Sequence, residues 1–592
     1  MSRGRLGKVE ACLRSLRQPS VCRLHSQHVS VSSQQCRYNS HIVKSPFPDI
    51  DIPNKLIPEM VWETVDRFPE STAIKCGITG RSYTFAQIHR LSLRFANSLR
   101  KAGFTRGDVI ALVLPNSPEF PIVTLGALEA DLSLSFVNHS YTPDEMTHQL
   151  KDSGSVCVVV AAEQLKVVLS SIDKVEKATH SKPFRRIIVV DTSSGESLPQ
   201  GVCRFSELVA DGVDQTAKSG YQVQPTDMAL LPYSSGTTGL SKGVCLSHRN
   251  ILCNILQLSS TGGNSAIHSP DQGQDVLLGL LPFYHIYGLV VILLNSLLYG
   301  GQVVTLPKFE QESFVQTLEN EKLSVLMLVP PLILFLSASD KVTRKHLANV
   351  RNIFSGAAPL GASDLEKVKE KLPSPDKCHI NQAYGLTEMS PVATVPIFPA
   401  KNLATVGAPV SNTLGKIINP ETGEALGPNQ SGELCFKGPQ VMLGYHNNPK
   451  ATANMIDPDG WLRTGDIGYY EEDSHFYVQD RLKELIKVKG LQVPPAELEE
   501  LLRTHPLVSD VGVIGVPDPR SGEVPVAYIV PQKHSKKLTA EHVKEFLSER
   551  VSRHKQLADV IFTDSIPKSA AGKILRKDLR ELYKNQKKLY LH

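Results

Sequence analysis

Tyr233 to Gly243 reads YSSGTTGLSKG. Ser234, Ser235, Thr237, Thr238 and Ser241 are set among Gly236, Gly239 and Gly243, with one cation, Lys242. The apolar MALLPY before it has strand character, and VCLSHRNILCNIL after it reads as a short strand and then a helix capped near Ser247. A glycine- and hydroxyl-rich turn at a strand end suits an anion. Glycines let backbone N–H groups converge, and hydroxyls and a lysine add donors. The same composition also describes ordinary surface loops. Gly236 and Lys242 do not fit G-x-x-x-x-G-K-[ST], so phosphate binding here belongs to a class other than the Walker loop.

Outward from the loop, short β-branched runs alternate with helical stretches. SYTF at 82–85 reads as a strand entering a helix that runs to Ala102. VIALVL (109–114), VCVVVA (156–161) and RIIVV (186–190) read as strands, as do 277–282, 325–329 and 352–354. Such runs separated by helices predict an α/β fold of parallel sheets covered on both faces. After about Gly407 the chain reads as hairpins with Pro/Gly turns, β-rich to about Asp480. From Glu484 a smaller unit follows: strand, helix (495–504), two strands (511–516 and 526–530) and a helix (539–551). The expected division is 1–40, 41–480 and 481–592, with the linker near 480–483.

The 592 residues, 41% hydrophobic and 21% charged, suit more than one domain with its own core. The net charge of +5 is local, because residues 1–40 hold seven basic residues against one acid. The body is near neutral, which excludes a nucleic-acid footprint. Those forty residues are Arg- and Ser-rich, the composition of a transit peptide. A mitochondrial matrix location is expected, with a disordered basic tail on a cytoplasmic protein as the alternative. The final LYLH is not a peroxisomal S-K-L address. Ten cysteines without a CxxC pair argue against a disulfide framework or a zinc site. The apolar stretch 276–300 is broken by Pro282, His285, Gly288, Asn295 and Ser296, and reads as a buried strand plus helix rather than a membrane span.

Further blocks follow the loop in fixed order: SGAAP (355–359), YGLTE (384–388), WLRTGD (461–466), DRLKELIKVKGLQVPPAELE (480–499) and PKSAAGKILR (567–576). Each alone is modest. The ordered set resembles the adenylate-forming superfamily of acyl-CoA synthetases, luciferases and peptide-synthetase adenylation domains, and within it 4-coumarate–CoA ligase and its animal relatives. The resemblance spans roughly residues 53–577. It implies a large N-terminal domain of two α/β sheets plus a distorted β-barrel, with a small mobile α+β C-terminal domain. It also implies two steps: a carboxylate attacks the α-phosphate of MgATP to give an acyl-adenylate and pyrophosphate, and the thiol of coenzyme A then displaces AMP.

Carried over residue by residue, the resemblance makes Ser234, Ser235, Gly236, Thr237, Thr238, Gly239 and Lys242 the wrap around the β- and γ-phosphates. Thr387 would hold the α-phosphate. Glu388 would bind Mg²⁺, since hard cations take oxygen donors and share them with phosphates. Asp466 would accept from the ribose hydroxyls, with Arg481 beside it. Gly356, Ala357, Ala358 and Pro359 would approach the adenine, with Tyr384 and Gly385 against it. Lys573, after PKSAAG, would be the adenylation lysine, its ammonium meeting charge on the α-phosphate. Lys483 matches the hinge. Lys487 and Gln492 match residues assisting catalysis and nucleotide contact, and Lys489 and Gly490 the coenzyme A side. His285 and Tyr287 would line the acyl pocket with Phe354. An aromatic ring at 354 departs from the lysine typical of plant coumarate ligases, and favours an aliphatic or less polar acid. A luciferase-like oxygenase and a nucleotide-binding protein without ligase activity remain the alternatives; a peptide-synthetase module is disfavoured.

Overall fold

The run 109–113 is buried at all five positions, as a strand covered on both faces must be. The computed structural model describes residues 41–190, 197–212, 223–234, 241–261, 267–358, 360, 362–397, 402–489, 491–532, 538–569 and 572–589. Val109–Val113 lies inside an eight-stranded sheet between Ser133–Phe136 and Ser155–Ala161. The sheet is parallel from Val202–Arg204 to Met228–Ser234, and there the direction reverses. Lys242–Ser247 folds back antiparallel on Met228–Ser234, with Lys242 opposite Ser234. The described flanks of the stretch 233–243 are thus paired antiparallel strands at a sheet end.

A second sheet of seven strands runs in the order His379–Gln382, Asn352–Ser355, Val325–Leu328, Val276–Gly279, Gln302–Thr305, Thr72–Cys76 and Ser82–Thr84. All neighbours are parallel except the last pair. One hydrophobic core is continuous across both sheets, from Ile110 and Phe120 to Phe283, Leu326 and Ile353. Between the strand at 276 and the next, residues Tyr287–Leu294 form a π-helix that continues as Asn295–Tyr299 in α-form. π-Turns of this kind recur at functional sites.

The barrel-like unit is an open antiparallel sheet around Leu414–Ile418, Gly432–Lys437, Leu462–Tyr470 and Phe476–Arg481, with its own core of Leu434, Phe436 and Phe476. A five-stranded sheet follows, built on Val508–Asp518 and Gly522–Pro531 and flanked by the helices Pro495–Arg503 and Ala540–Ser548. Arg481 is still the last residue of a strand, so the candidate linker begins inside regular structure and reaches Ile486–Val488 within four residues. Asp480 ties the two units: its Oδ2 accepts from the Ala496 N–H in the first turn of the helix at 495, at 2.8 Å. Burial pushes the Asp480 carboxyl up to about 6, against the pull of Arg576. No described helix is long and apolar enough to cross a membrane.

Candidate active site

The carboxyl ends of the parallel strands from both sheets open onto one cavity of about 780 Å³, where open α/β sheets bind ligands. Ser234 reaches it from the first sheet, Phe354 and Gly356 from the second, Thr387 and Glu388 from the turn at 387–389, and Arg481 from the curled sheet. Lys573 enters from the C-terminal unit. Its loop is a turn in which the Gly572 N–H donates to the Ser569 carbonyl at 2.8 Å. Gly572 has φ +75, and a Cβ there would lie 2.8 Å from Pro331 Cδ. Only glycine satisfies both that backbone and that approach, so the turn seats directly on the start of the helix Pro330–Ala338.

Charges face one another across the cavity. Lys573 is half-buried in the cavity wall. Burial lowers its ammonium to about 8; Arg481 pushes the same way, and Asp466 and Glu388 oppose. His285 is pushed down to about 4 by burial and then by the Lys573 charge, so it is neutral at physiological pH. Its Nδ1 accepts from the Tyr287 N–H at 3.3 Å, which leaves Nε2 to carry the proton. Asp466, 5% exposed, sits behind the wall formed by Thr464 and Gly465. It is the cross-strand partner of Arg481, whose Nε lies 3.1 Å from Oδ1, and its Oδ2 accepts from the Tyr384 hydroxyl at 2.6 Å. Glu433 fixes that turn, accepting from the Gly465 N–H at 3.0 Å and from Arg463 Nε at 2.9 Å.

Glu388 is 7% exposed. Its Oε1 accepts from the Ser234 hydroxyl at 3.1 Å and from the Tyr445 hydroxyl at 2.7 Å. Its Oε2 has no hydrogen-bond partner among the described residues. Lys242 Nζ lies 4.6 Å over the Tyr445 ring, which joins the first residue of the strand Lys242–Ser247 to the same carboxylate.

The cavity brings together Ser234, Lys242, His285, Tyr287, Phe354, Gly356, Ala357, Tyr384, Gly385, Thr387, Glu388, Arg481, Lys483 and Lys573 of the expected set. Ala358 does not line it. Ser235, Gly236, Thr237, Thr238, Gly239, Pro359 and Gly490 lie outside the described residues. Two expectations change in detail. The open side of Gly356 faces the Tyr287 ring, whose Cε1 would be 3.0 Å from an added Cβ, so a residue expected in the acyl pocket occupies that approach. Ala357 beside it holds φ +74, a left-handed backbone costly for a residue with a Cβ. Lys487, Gln492 and Lys489 do not reach the cavity. Lys487 and Gln492 are cross-strand partners in the hairpin of Ile486–Val488 and Leu491–Val493, and all three side chains are exposed.

Tyr445 and Glu433 were not anticipated. Tyr445 stands in a turn-like GYHNN, and no local pattern links it to a carboxylate 57 residues away. Asn295 and Met327 also line the cavity, from stretches that read only as buried helix and strand.

Residues 61–446 match the AMP-binding enzyme family, and residues 497–573 match the AMP-binding enzyme C-terminal domain. The chain is 38% identical over 560 residues to 4-coumarate–CoA ligase 1 of Arabidopsis thaliana, covering 93% of this chain and 97% of that protein. It is 42% identical over 553 residues to 4-coumarate–CoA ligase 2 of Narcissus pseudonarcissus, covering 91% and 94%. Among solved structures, ATP-bound MatB from Rhodopseudomonas palustris superposes with a TM-score of 0.78 at 27% identity, covering 90% of this chain and 99% of that one. The chain belongs to the AMP-binding enzyme family, closely related to the plant 4-coumarate–CoA ligases, and its chemistry is that of an ATP-dependent, adenylate-forming acid–thiol ligase.

Proposed function

We propose that this chain activates an apolar-bodied carboxylic acid with MgATP and passes the acyl group to coenzyme A. The observation that carries this reading is Lys573 in one cavity with His285, Glu388 and Arg481. An acid carboxylate oxygen attacks the α-phosphorus, and the bond to the bridging oxygen breaks to release pyrophosphate. Lys573, charged below about pH 8, meets the negative charge that grows on the phosphate oxygens. His285, neutral, donates through Nε2–H toward the acid carboxylate without adding a second cation beside Lys573. Asp466 and Arg481 hold the ribose side. The unpartnered Oε2 of Glu388 suits a hard cation shared with phosphates, and among the described residues no cluster of three or more His, Cys, Asp or Glu offers an all-protein cage. Bound there, Mg²⁺ would neutralise phosphate charge. In the second step the coenzyme A thiolate attacks the acyl carbon, AMP leaves with the bonding electrons, and the thiol proton goes to solvent. The C-terminal unit reseats for that step, bringing Lys489 and Gly490 toward coenzyme A through the hinge at Lys483.

The acid is aliphatic or weakly polar on the strength of Phe354, 8% exposed, and Met327, 6% exposed, which line the cavity beside Val291. Carboxylate-dependent ATP–pyrophosphate exchange over a panel of aliphatic and aryl acids, followed by thioester detection with coenzyme A, tests the whole reading. Exchange without thioester would remove the ligase half, and a panel led by 4-coumarate over every aliphatic acid would remove the acid class. The basic leader supports a mitochondrial address. A fusion of residues 1–40 to a reporter tests it, and a diffuse cytosolic signal would count against it.

A further inference from the structure

The cavity wall contains a buried polar side chain that nothing yet described uses. Asn295 is 4% exposed and lines the cavity. Its carboxamide has no hydrogen-bond partner among the described residues, and it is not sealed away from the cavity. Val291, four residues earlier, and Leu258 and Phe354 line the same cavity with hydrocarbon. An amide desolvated against such walls costs stability until something bonds to it. A chamber for bare hydrocarbon would be better served by an apolar side chain at this position.

The wall around it is built rather than pliable. Asn254 donates to the Val392 carbonyl at 2.8 Å and accepts from the Val392 N–H at 3.0 Å, which pins that lining residue from behind. Gln257 on the same helix donates to the Ser411 carbonyl at 2.6 Å. Tyr299, four residues after Asn295, is tied to Ser259 at 2.6 Å. Among the described residues, the Asn295 amide is a buried polar group of the cavity wall left free for a ligand.

We propose that Asn295 reads a single neutral oxygen, hydroxyl or carbonyl, at the end of the acid remote from its carboxylate. This deepens the proposed function and rests on it. The carboxylate end is marked by His285 and Lys573. The π-helix Tyr287–Leu294 carries the chain 8 residues further before Asn295, on the order of 10 Å of helix. That span suits an acid of medium length with an apolar middle. Glu388, Arg481 and Lys573 meet the nucleotide in the proposed reaction, and Arg463 and Glu433 pair with each other, so the distal group is taken as neutral. A carboxamide both donates and accepts, so either a hydroxyl or a carbonyl satisfies it.

ATP–pyrophosphate exchange by the full chain tests this with matched acids: octanoate, decanoate and dodecanoate against their ω-hydroxy and (ω−1)-oxo derivatives. The expected result is a kcat/KM for the oxygenated member about threefold or more above its parent at one or more lengths. Asn295→Leu should bring that ratio to near one. A wild-type ratio below threefold at every length overturns the proposal, as does an unchanged ratio in Asn295→Leu. If that variant does not fold, Asn295→Ser takes its place beside the wild-type ratios. Exchange with no acid at all would overturn the ligase reading, whereas exchange without a distal-oxygen preference overturns only the role of Asn295.

Discussion

The C-terminal unit presents its lysines to two unlike surroundings. On the turn at 569–573, Lys573 is enclosed, its charge depressed by burial and by Arg481 and steadied by Asp466 and Glu388. On the hairpin 486–493, Lys487 and Lys489 stand in solvent, and only their backbone is engaged: the Lys487 N–H donates to Glu523 and the Lys489 N–H to the Ser521 carbonyl, at 2.8 and 2.7 Å. Exposed lysines do little locally, whereas an enclosed one beside two carboxylates is placed for charge stabilisation. The contrast teaches that one small unit carries two edges, of which this seating offers the Lys573 edge to the cavity. On the proposed reading it is the adenylating seating. Lys573→Ala should therefore lower acid-dependent pyrophosphate exchange by about 10²–10³-fold. Thioester formation from supplied acyl-adenylate should fall far less, and equal loss in both half-reactions would break the comparison.

Next in size is the carboxylate beside that lysine. Asp466→Ala leaves Arg481 without its partner at 3.1 Å and removes the acceptor for the Tyr384 hydroxyl. Charged hydrogen bonds are worth about 1.5–3 kcal/mol, so KM for ATP should rise about 10–100-fold. A rise confined to KM for the acid would move Asp466 away from the ribose. The pH profile comes third. Lys573 is protonated below about 8 and loses its charge above, so kcat/KM for exchange should fall about fivefold between pH 8 and pH 9. His285, held down to about 4, contributes no inflection near neutrality. Lys573→Arg should remove the alkaline limb, because a guanidinium stays charged. An identical limb in that variant would assign the titration to another group.

How far these regions were legible in the sequence differs for a physical reason. The parallel strands were plain because burial on both faces forces β-branched runs such as VIALV and SVCVVVA. Lys573 was legible through the block PKSAAG around it, and Glu388 and Asp466 through YGLTE and TGD. Local text could not show that Tyr445 bonds Glu388 across 57 residues, or that the Tyr287 ring lies over Gly356. Those pairs exist only once two sheets converge on one cavity. Asn295 had looked like an interruption in an apolar run. Its meaning depends on facing a cavity rather than core, which no periodicity records. Lys487 and Gln492 were identified by their block, but the stretch read as one strand rather than the hairpin it forms, and a block does not say which edge of a unit faces inward.

The smallest effect probes the outward edge. Lys489 has φ +50, and alanine at that position keeps both the strained backbone and the N–H to Ser521, so Lys489→Ala removes only an exposed charge. Surface substitutions of this kind change stability by about 0.5 kcal/mol or less, so folding should not confuse the result. If this edge meets the phosphates of coenzyme A in the second half-reaction, thioester formation from supplied adenylate should drop about threefold, the scale of one exposed ion pair. The drop should shrink as salt is raised, since exposed charges are screened within about 10 Å at 0.1 M ionic strength. Pyrophosphate exchange should fall by a smaller factor, because in the adenylating seating this lysine is outside the cavity. A larger loss in exchange than in thioester formation would mean that the hairpin enters the cavity during the first step, and the two edges would then act together rather than in turn.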